Sequence, residues 1–311
     1  NLSVVNSSKT LPFQIENEID TDENIRLKYR YLDLRREPMK INIMTRSNTF
    51  KSIRSIMNEL NIYEIDTPTL IKSTPEGAKD FLVPSRKSPS TFYALPQSPQ
   101  MYKQLFMMSG FPNYYQIAKC YRDEDSRKDR QPEFTQLDLE FSDANPSIVK
   151  SNIEKIFKFV FSDAYDCKIT TPFQTLTYNQ AMNLYGTDKP DLRITKTLLD
   201  ISEVFIGTDI NFLNEILETG GIVKALHTEE LLTRKQIDTL DEDIKELGSN
   251  GLGWFKIQNN EISGPLAKLL KDEEKDSILN YGTGTLLFQA GDFNLTSQYM
   301  DFIRRTIFKP S

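Results

Sequence analysis

Residues 113–141 read Asn113-Tyr114-Tyr115-Gln116-Ile117-Ala118-Lys119-Cys120-Tyr121, then a charged connection, then Phe134-Thr135-Gln136-Leu137-Asp138-Leu139-Glu140-Phe141. The alternation predicts two strands, 113–121 and 134–141. A period of two puts Gln116, Ala118, Cys120, Arg122 and Glu124 on one face of the first strand. Phe134, Gln136, Asp138 and Glu140 share a face of the second, and Leu137, Leu139 and Phe141 point the other way. An amphipathic surface hairpin would show the same alternation. Ala118 and Cys120 are small, however, and leave room above the polar face that such a hairpin would not use. A planar Phe beside Gln and Asp suits a flat, polar-edged ligand such as a nucleobase, and an Arg suits an anion. Spacing alone leaves both readings open.

The connection carries four basic residues (Arg122, Arg127, Lys128, Arg130) and five acidic ones (Asp123, Glu124, Asp125, Asp129, Glu133). With a balance of −1 it is no phosphate-coating patch. Alternating signs instead place single forks against particular groups.

Working outward, Ile43, Phe50, Ile53, Ile56, Met57 and Leu60 repeat at helical spacing and predict a long amphipathic helix over 41–61. Before it, Leu27, Tyr31 and Leu34 suggest one helix in the basic stretch 26–40, and Ile62–Asp66 reads as a short strand. Prolines make 68–99 loop-rich. Helices are expected at 100–109, at 145–165 (Asn145 as N-cap, Pro146 in the first turn) and at 177–185, stopped by Gly186.

The 311 residues suit one large or two moderate domains, and a hydrophobic content of 38% rules out wholesale disorder. The net charge of −6 argues against indiscriminate coating of nucleic acid. No apolar run approaches the ~18 residues of a membrane span. Two cysteines, Cys120 and Cys167, supply neither a disulfide framework nor a Cys-rich zinc site, and a reducing compartment fits them. The single histidine, His227, is expected in a polar helical stretch, 224–229, with a packing or surface role.

Arg122-Asp123-Glu124-Asp125 followed by Arg130-Gln131-Pro132-Glu133-Phe134-Thr135-Gln136 resembles motif 2 of the class II aminoacyl-tRNA synthetases, in the form of the bacterial-type aspartyl enzymes. Arg30-Tyr31-Leu32-Asp33-Leu34-Arg35-Arg36 and the helix running to Thr67-Pro68 resemble the region through motif 1. Glu76-Gly77-Ala78-Lys79-Asp80-Phe81 resembles the mobile loop that closes over the amino acid, and Tyr93 to Gln104 the strand and helix that grip it. Gly186-Thr187-Asp188-Lys189-Pro190-Asp191-Leu192-Arg193 is similar to a further stretch of these enzymes.

The resemblance implies an α+β fold: a class II antiparallel sheet flanked by helices, with an inserted smaller α+β domain. Residues 1–13 would be the tail of an anticodon-binding β-barrel, 14–199 the catalytic core, 200–289 the insert, and 290–311 a return towards the core. The implied activity joins L-aspartate to ATP and passes the aspartyl group to the 3′ end of tRNA(Asp). Arg122 would be catalytic, bridging the reacting carboxylate and the α-phosphate. Glu76, Ser98, Gln100, Lys103, Arg122 and Asp138 would bind aspartate. Asp123, Glu124, Gln131, Phe134 and Gln136 would join Arg122 around ATP, and Arg127 and Arg130 would meet the tRNA.

Mg2+ is expected from the family, but no metal site within this stretch, because the Arg-bearing, Gly-rich third motif is not matched at Gly251-Leu252-Gly253 or Gly282-Thr283-Gly284. The chain is therefore expected to be an internal fragment, poorly active alone. Expected partners are tRNA(Asp), L-aspartate and ATP, with a homodimer through the motif 1 region and no membrane. The expected compartment is the mitochondrial matrix, with the bacterial cytoplasm as alternative. A sister asparaginyl or lysyl enzyme, or a non-catalytic RNA-binding paralogue, are the competing readings. The cation at Lys103 and the intact motif 2 discriminate against them.

Overall fold

A computed structural model describes residues 2–74, 76–125, 127 and 130–310. The chain forms two compact units, residues 1–173 and 174–311. The architecture is α+β, and its sheets pair antiparallel.

The first unit contains α1 (Glu23–Lys28), α2 (Arg30–Asp33), α3 (Glu37–Glu59), β1 (Leu82–Pro84), β2 (Phe92–Ala94), α4 (Gln100–Met108), β3 (Asn113–Tyr121), β4 (Glu133–Phe141) and α5 (Pro146–Tyr165). β3 and β4 pair over their whole length, placing Gln116 opposite Asp138, Ala118 opposite Gln136 and Cys120 opposite Phe134. The apolar face, with Tyr115, Ile117, Leu137, Leu139 and Phe141, packs on Ile53, Ile56 and Met57 of α3 and on Ile156 and Val160 of α5. That burial holds the ribbon on one side and fixes the position of the opposite, polar face.

Three expectations change here. The single helix over 26–40 is instead α1, α2 and the start of α3, broken at Tyr29 (φ −109°, ψ 45°). Pro38 sits in the first turn of α3, where its missing N–H costs nothing, so α3 starts before Ile41. The strand at 62–66 reduces to one bridge, Glu64 to Tyr115. Residues 2–11 are exposed coil rather than strand; no ladder partner satisfies them among the described residues.

The second unit comprises α6 (Tyr178–Tyr185), β5 (Leu199–Asp200), α7 (Asn211–Glu218), β6 (Ile222–Thr228), α8 (Arg234–Glu246), β7 (Gly253–Gln258), β8 (Glu261–Ser263), α9 (Asp272–Leu279), β9 (Gly284–Gly291) and α10 (Phe293–Ile307). Its sheet runs β5-β6-β9-β7-β8. Thr177 and Gln180 form a reciprocal capping box on α6. Gly186 ends that helix at φ +76°, where a Cβ would lie 2.2 Å from the Ser297 carbonyl oxygen, so only glycine fits. His227 and Lys224 lie on β6, not on a helix. That strand is covered on both faces, which erases the alternation that would have marked it. The compact unit runs from Gln174 to Ser311, and within it Met300 and Ile303 of α10 pack on Leu226 and Leu287. No helix of the described residues is long and apolar enough to cross a membrane.

Candidate active site

The polar face of β3–β4 collects the residues that the sequence singles out. Ala118 and Cys120 form a buried, small-residue floor. At one end the Arg122 guanidinium lies 5.1 Å from the centroid of the Phe134 ring, and both side chains are half-buried. The main chain of Arg122 is held where the ladder stops, its N–H donating to the Pro132 carbonyl at 2.9 Å. Gln136, in the next same-face position, accepts from the Cys120 thiol at 3.1 Å. Burial pushes that thiol up to about 11, so it is a neutral donor.

At the other end Lys103 projects from α4 and is buried. Its ammonium donates to Asp138 Oδ1 at 2.9 Å and pairs with Glu140 Oε2 at 3.3 Å. Burial acts to lower the Lys103 pKa, but the hydrogen bond and charge of Asp138, reinforced by Glu140, outweigh it and hold the amine above its ordinary value. Asp138 Oδ2 is buried with no hydrogen-bond partner among the described residues. A buried carboxylate oxygen in that state calls for a partner that these residues do not supply. Gln100 stands three residues before Lys103, one turn back on α4, and its N–H donates to Ser98 Oγ at 3.3 Å.

Ser98 ties in the third group. Its hydroxyl donates to Glu76 Oε2 at 2.6 Å, and the Thr74 hydroxyl donates to Glu76 Oε1 at 3.2 Å. Glu76, Ser98 and Gln100 are thereby adjacent, as are Lys103 and Asp138, and Arg122 and Phe134. The connection beyond Arg122 is looser. Glu124 is not placed by strand alternation, because β3 ends at Tyr121; it pairs instead with Arg130 at 3.1 Å. Asp123, Arg127 and Gln131 are exposed there, Asp123 anchored through its N–H to the Lys79 carbonyl at 3.0 Å. Lys128 and Asp129 lie outside the described residues, as does Pro75.

Glu140 and Gln116 belong to the site but escaped assignment. Glu140 follows Asp138 by two residues on a strand, so alternation carried the signal. Gln116 Oε1 accepts from Tyr114 at 2.8 Å and from Thr67 at 2.9 Å, contacts that no spacing rule foretells. Among the described residues no three His, Cys, Asp or Glu side chains converge as a metal set, so the Mg2+ that the resemblance implies has no ligand set here and enters no step below.

The family model described as tRNA synthetases class II (D, K and N) matches residues 22–280. An aspartate–tRNA(Asp/Asn) ligase of Hydrogenobaculum sp. (strain Y04AAS1) is 50% identical over 279 residues, 90% of this chain and 47% of the relative. The corresponding ligase of Syntrophomonas wolfei is 44% identical over 97% of this chain and 53% of its own length. An aspartate–tRNA ligase of Halalkalibacterium halodurans is 45% identical over 94% of this chain and 50% of the relative. The chain thus spans about half the length of the curated relatives it matches. A solved asparaginyl-tRNA synthetase of Entamoeba histolytica, in complex with asparaginyl-adenylate, aligns at a TM-score of 0.47 and 15% identity over 93% of this chain and 71% of that one, a likeness too distant to carry weight. On a family match that spans most of its length and takes in the whole polar face of β3–β4, this chain belongs to the class II tRNA synthetases of the D, K and N group.

Proposed function

We propose that the whole protein is an aspartate–tRNA ligase and that the β3–β4 face is where aspartate and ATP react. The carrying observation is the buried Lys103 ammonium held by Asp138 and Glu140 on the same face as Arg122 and Phe134. A fixed cation suits an acidic side chain, and its neutralised partners do not repel that side chain outright. The carboxylates of Asp138 and Glu76 suit the substrate ammonium.

In the activation step a carboxylate oxygen of aspartate attacks the α-phosphorus of ATP. The bond to the bridging oxygen of the β-phosphate breaks, and pyrophosphate leaves with the electron pair. Two anions must meet, so positioning and charge neutralisation carry the catalysis. Arg122 serves both, since its planar fork can bond the carboxylate and the phosphate together. In this reading the guanidinium leaves the Phe134 ring for the phosphate and the freed ring face takes adenine. Arg127 and Arg130, exposed on the connection, are placed to meet the acceptor end of the tRNA. The exposed apolar residues Ile25, Leu27, Tyr31, Ile41 and Met44 of the motif 1 region support a homodimer formed there.

The test is ATP–pyrophosphate exchange by the whole protein with aspartate, asparagine and lysine in turn, followed by charging of tRNA(Asp) and tRNA(Asn). Exchange with aspartate alone is expected. Exchange driven by asparagine or lysine would replace this reading with that of a sister enzyme. Relatives named for one tRNA and for both are similarly close, so the charging arm decides the acceptor range.

A further inference from the structure

We infer that Gln97, which no functional assignment above includes, is the positioning residue that latches the loop of Glu76 over the aspartate pocket. This rests on the proposed function for its substrate, though not for its geometry. Gln97 is 1% exposed, on the turn between β2 and α4. Its carboxamide grips the backbone of Ala78 as a β-bridge would: the Ala78 N–H donates to Oε1 at 3.0 Å, and Nε2 donates to the Ala78 carbonyl at 2.9 Å. The same nitrogen donates to Asp80 Oδ1 at 2.5 Å, and the other oxygen of Asp80 accepts from Ser73 at 2.5 Å.

Two consecutive side chains thus clamp one loop. Gln97 holds Ala78 and Asp80 on one side of Gly77, and Ser98 holds Glu76 on the other. Gly77 itself turns at φ +94° with open space around it. An amide is the side chain that can both accept from an N–H and donate to a C=O, so neither Glu nor Leu reproduces the grip. Gln97 thus engages the N–H and the C=O of one residue, which lie in successive peptide units, and a carboxylate as well.

Gln97→Glu places an acceptor against the Ala78 carbonyl and the Asp80 carboxylate, and the latch opens. In the whole protein we expect the KM for aspartate in pyrophosphate exchange to rise about tenfold or more, with the KM for ATP within about twofold of wild type. Adding Asp80→Asn returns a donor to the Glu, though not to the Ala78 carbonyl, and should recover part of the loss, which a generally damaged fold would not show. Trypsin should cut after the exposed Lys72 and Lys79 faster in Q97E than in wild type or in the double variant. Should Q97E lose cooperative melting, Asp80→Ala, at a half-buried loop position, carries the same two readouts. An unchanged aspartate KM with unchanged cleavage, or equal rises for aspartate and ATP without rescue, overturns the latch. A wild-type protein that exchanges no aspartate overturns the proposed function instead, and the cleavage rates then still judge the latch by themselves.

Discussion

The guanidinium of Arg122 and the ring of Phe134, residues twelve positions apart in the chain, meet at 5.1 Å because the antiparallel register sets Cys120 opposite Phe134 and leaves Arg122 just past the end of its strand. The contact is a cation–π pair on a half-buried face. It places a group suited to a phosphate beside a group suited to a base. Arg122→Lys keeps the charge and loses the fork, and should lower kcat for exchange about 10²- to 10³-fold, as loss of an oriented charge-stabilising donor does. Phe134→Leu should raise the KM for ATP and leave that for aspartate near wild type. Steady-state exchange kinetics on the two variants separate the roles.

Lys103→Gln removes the cation between Asp138 and Glu140 and leaves two carboxylates side by side on the polar face of β4. Aspartate activation should fall by about 10² or more, almost all of it in the KM for aspartate. A comparable loss of ATP affinity would instead mean that Lys103 supports the fold of the face.

Asp33 is fully buried among Arg26, Arg30 and Arg36, and Arg36 also donates to the Glu16 and Asn17 carbonyls at 2.8 and 2.7 Å. The Arg36 hydrogen bond outweighs burial and holds the Asp33 carboxyl below its ordinary value. A depressed folded value means that the stabilisation is present above the unfolded value near 3.8 and is lost as pH falls through the folded one. Asp33→Ala should cost about 2 kcal/mol in urea unfolding at neutral pH, because Arg36 loses its counter-charge and one charged hydrogen bond while keeping those to the Glu16 and Asn17 carbonyls. It should also flatten the acid limb of the stability profile.

Cys120 is buried and Cys167 exposed. At pH 8 iodoacetamide should modify Cys167 and spare Cys120, read by mass spectrometry of tryptic peptides. Burial raises the Cys120 pKa from the ordinary 9.0 to about 11. The folded value lies above the unfolded one, so its stabilisation is complete below pH 9 and is lost as pH climbs through 11. Cys120→Ala should therefore lose less stability between pH 9 and 11 than wild type does.

The β3–β4 ribbon was legible in the sequence because it buries one face and leaves the other polar, and a period of two survives only under that asymmetry. The sequence hid β6, where both faces are covered and a buried Lys224 interrupts an apolar run by donating to the Met182 and Asn183 carbonyls of α6. Caps were readable at Asn145 and Gly186, since each rests on local chemistry, whereas Thr177, read as the first helical residue, is the N-cap of α6. The break at Tyr29 was not, because a helical period runs straight across it. Of the site, the charged members announced themselves through motif order. Gln97, between Pro96 and Ser98, lies within the Tyr93–Gln104 stretch but no spacing there assigns it a partner: its meaning lies in a loop nineteen residues earlier, brought near by folding.

The most direct test is a crystal structure of the whole protein with a non-hydrolysable sulfamoyl analogue of aspartyl-adenylate. Adenine should lie flat on Phe134, the sulfamoyl group should meet Arg122, and the side-chain carboxylate should sit about 3 Å from Lys103 Nζ. An analogue bound off this face, with Arg122 still resting on Phe134, would contradict it.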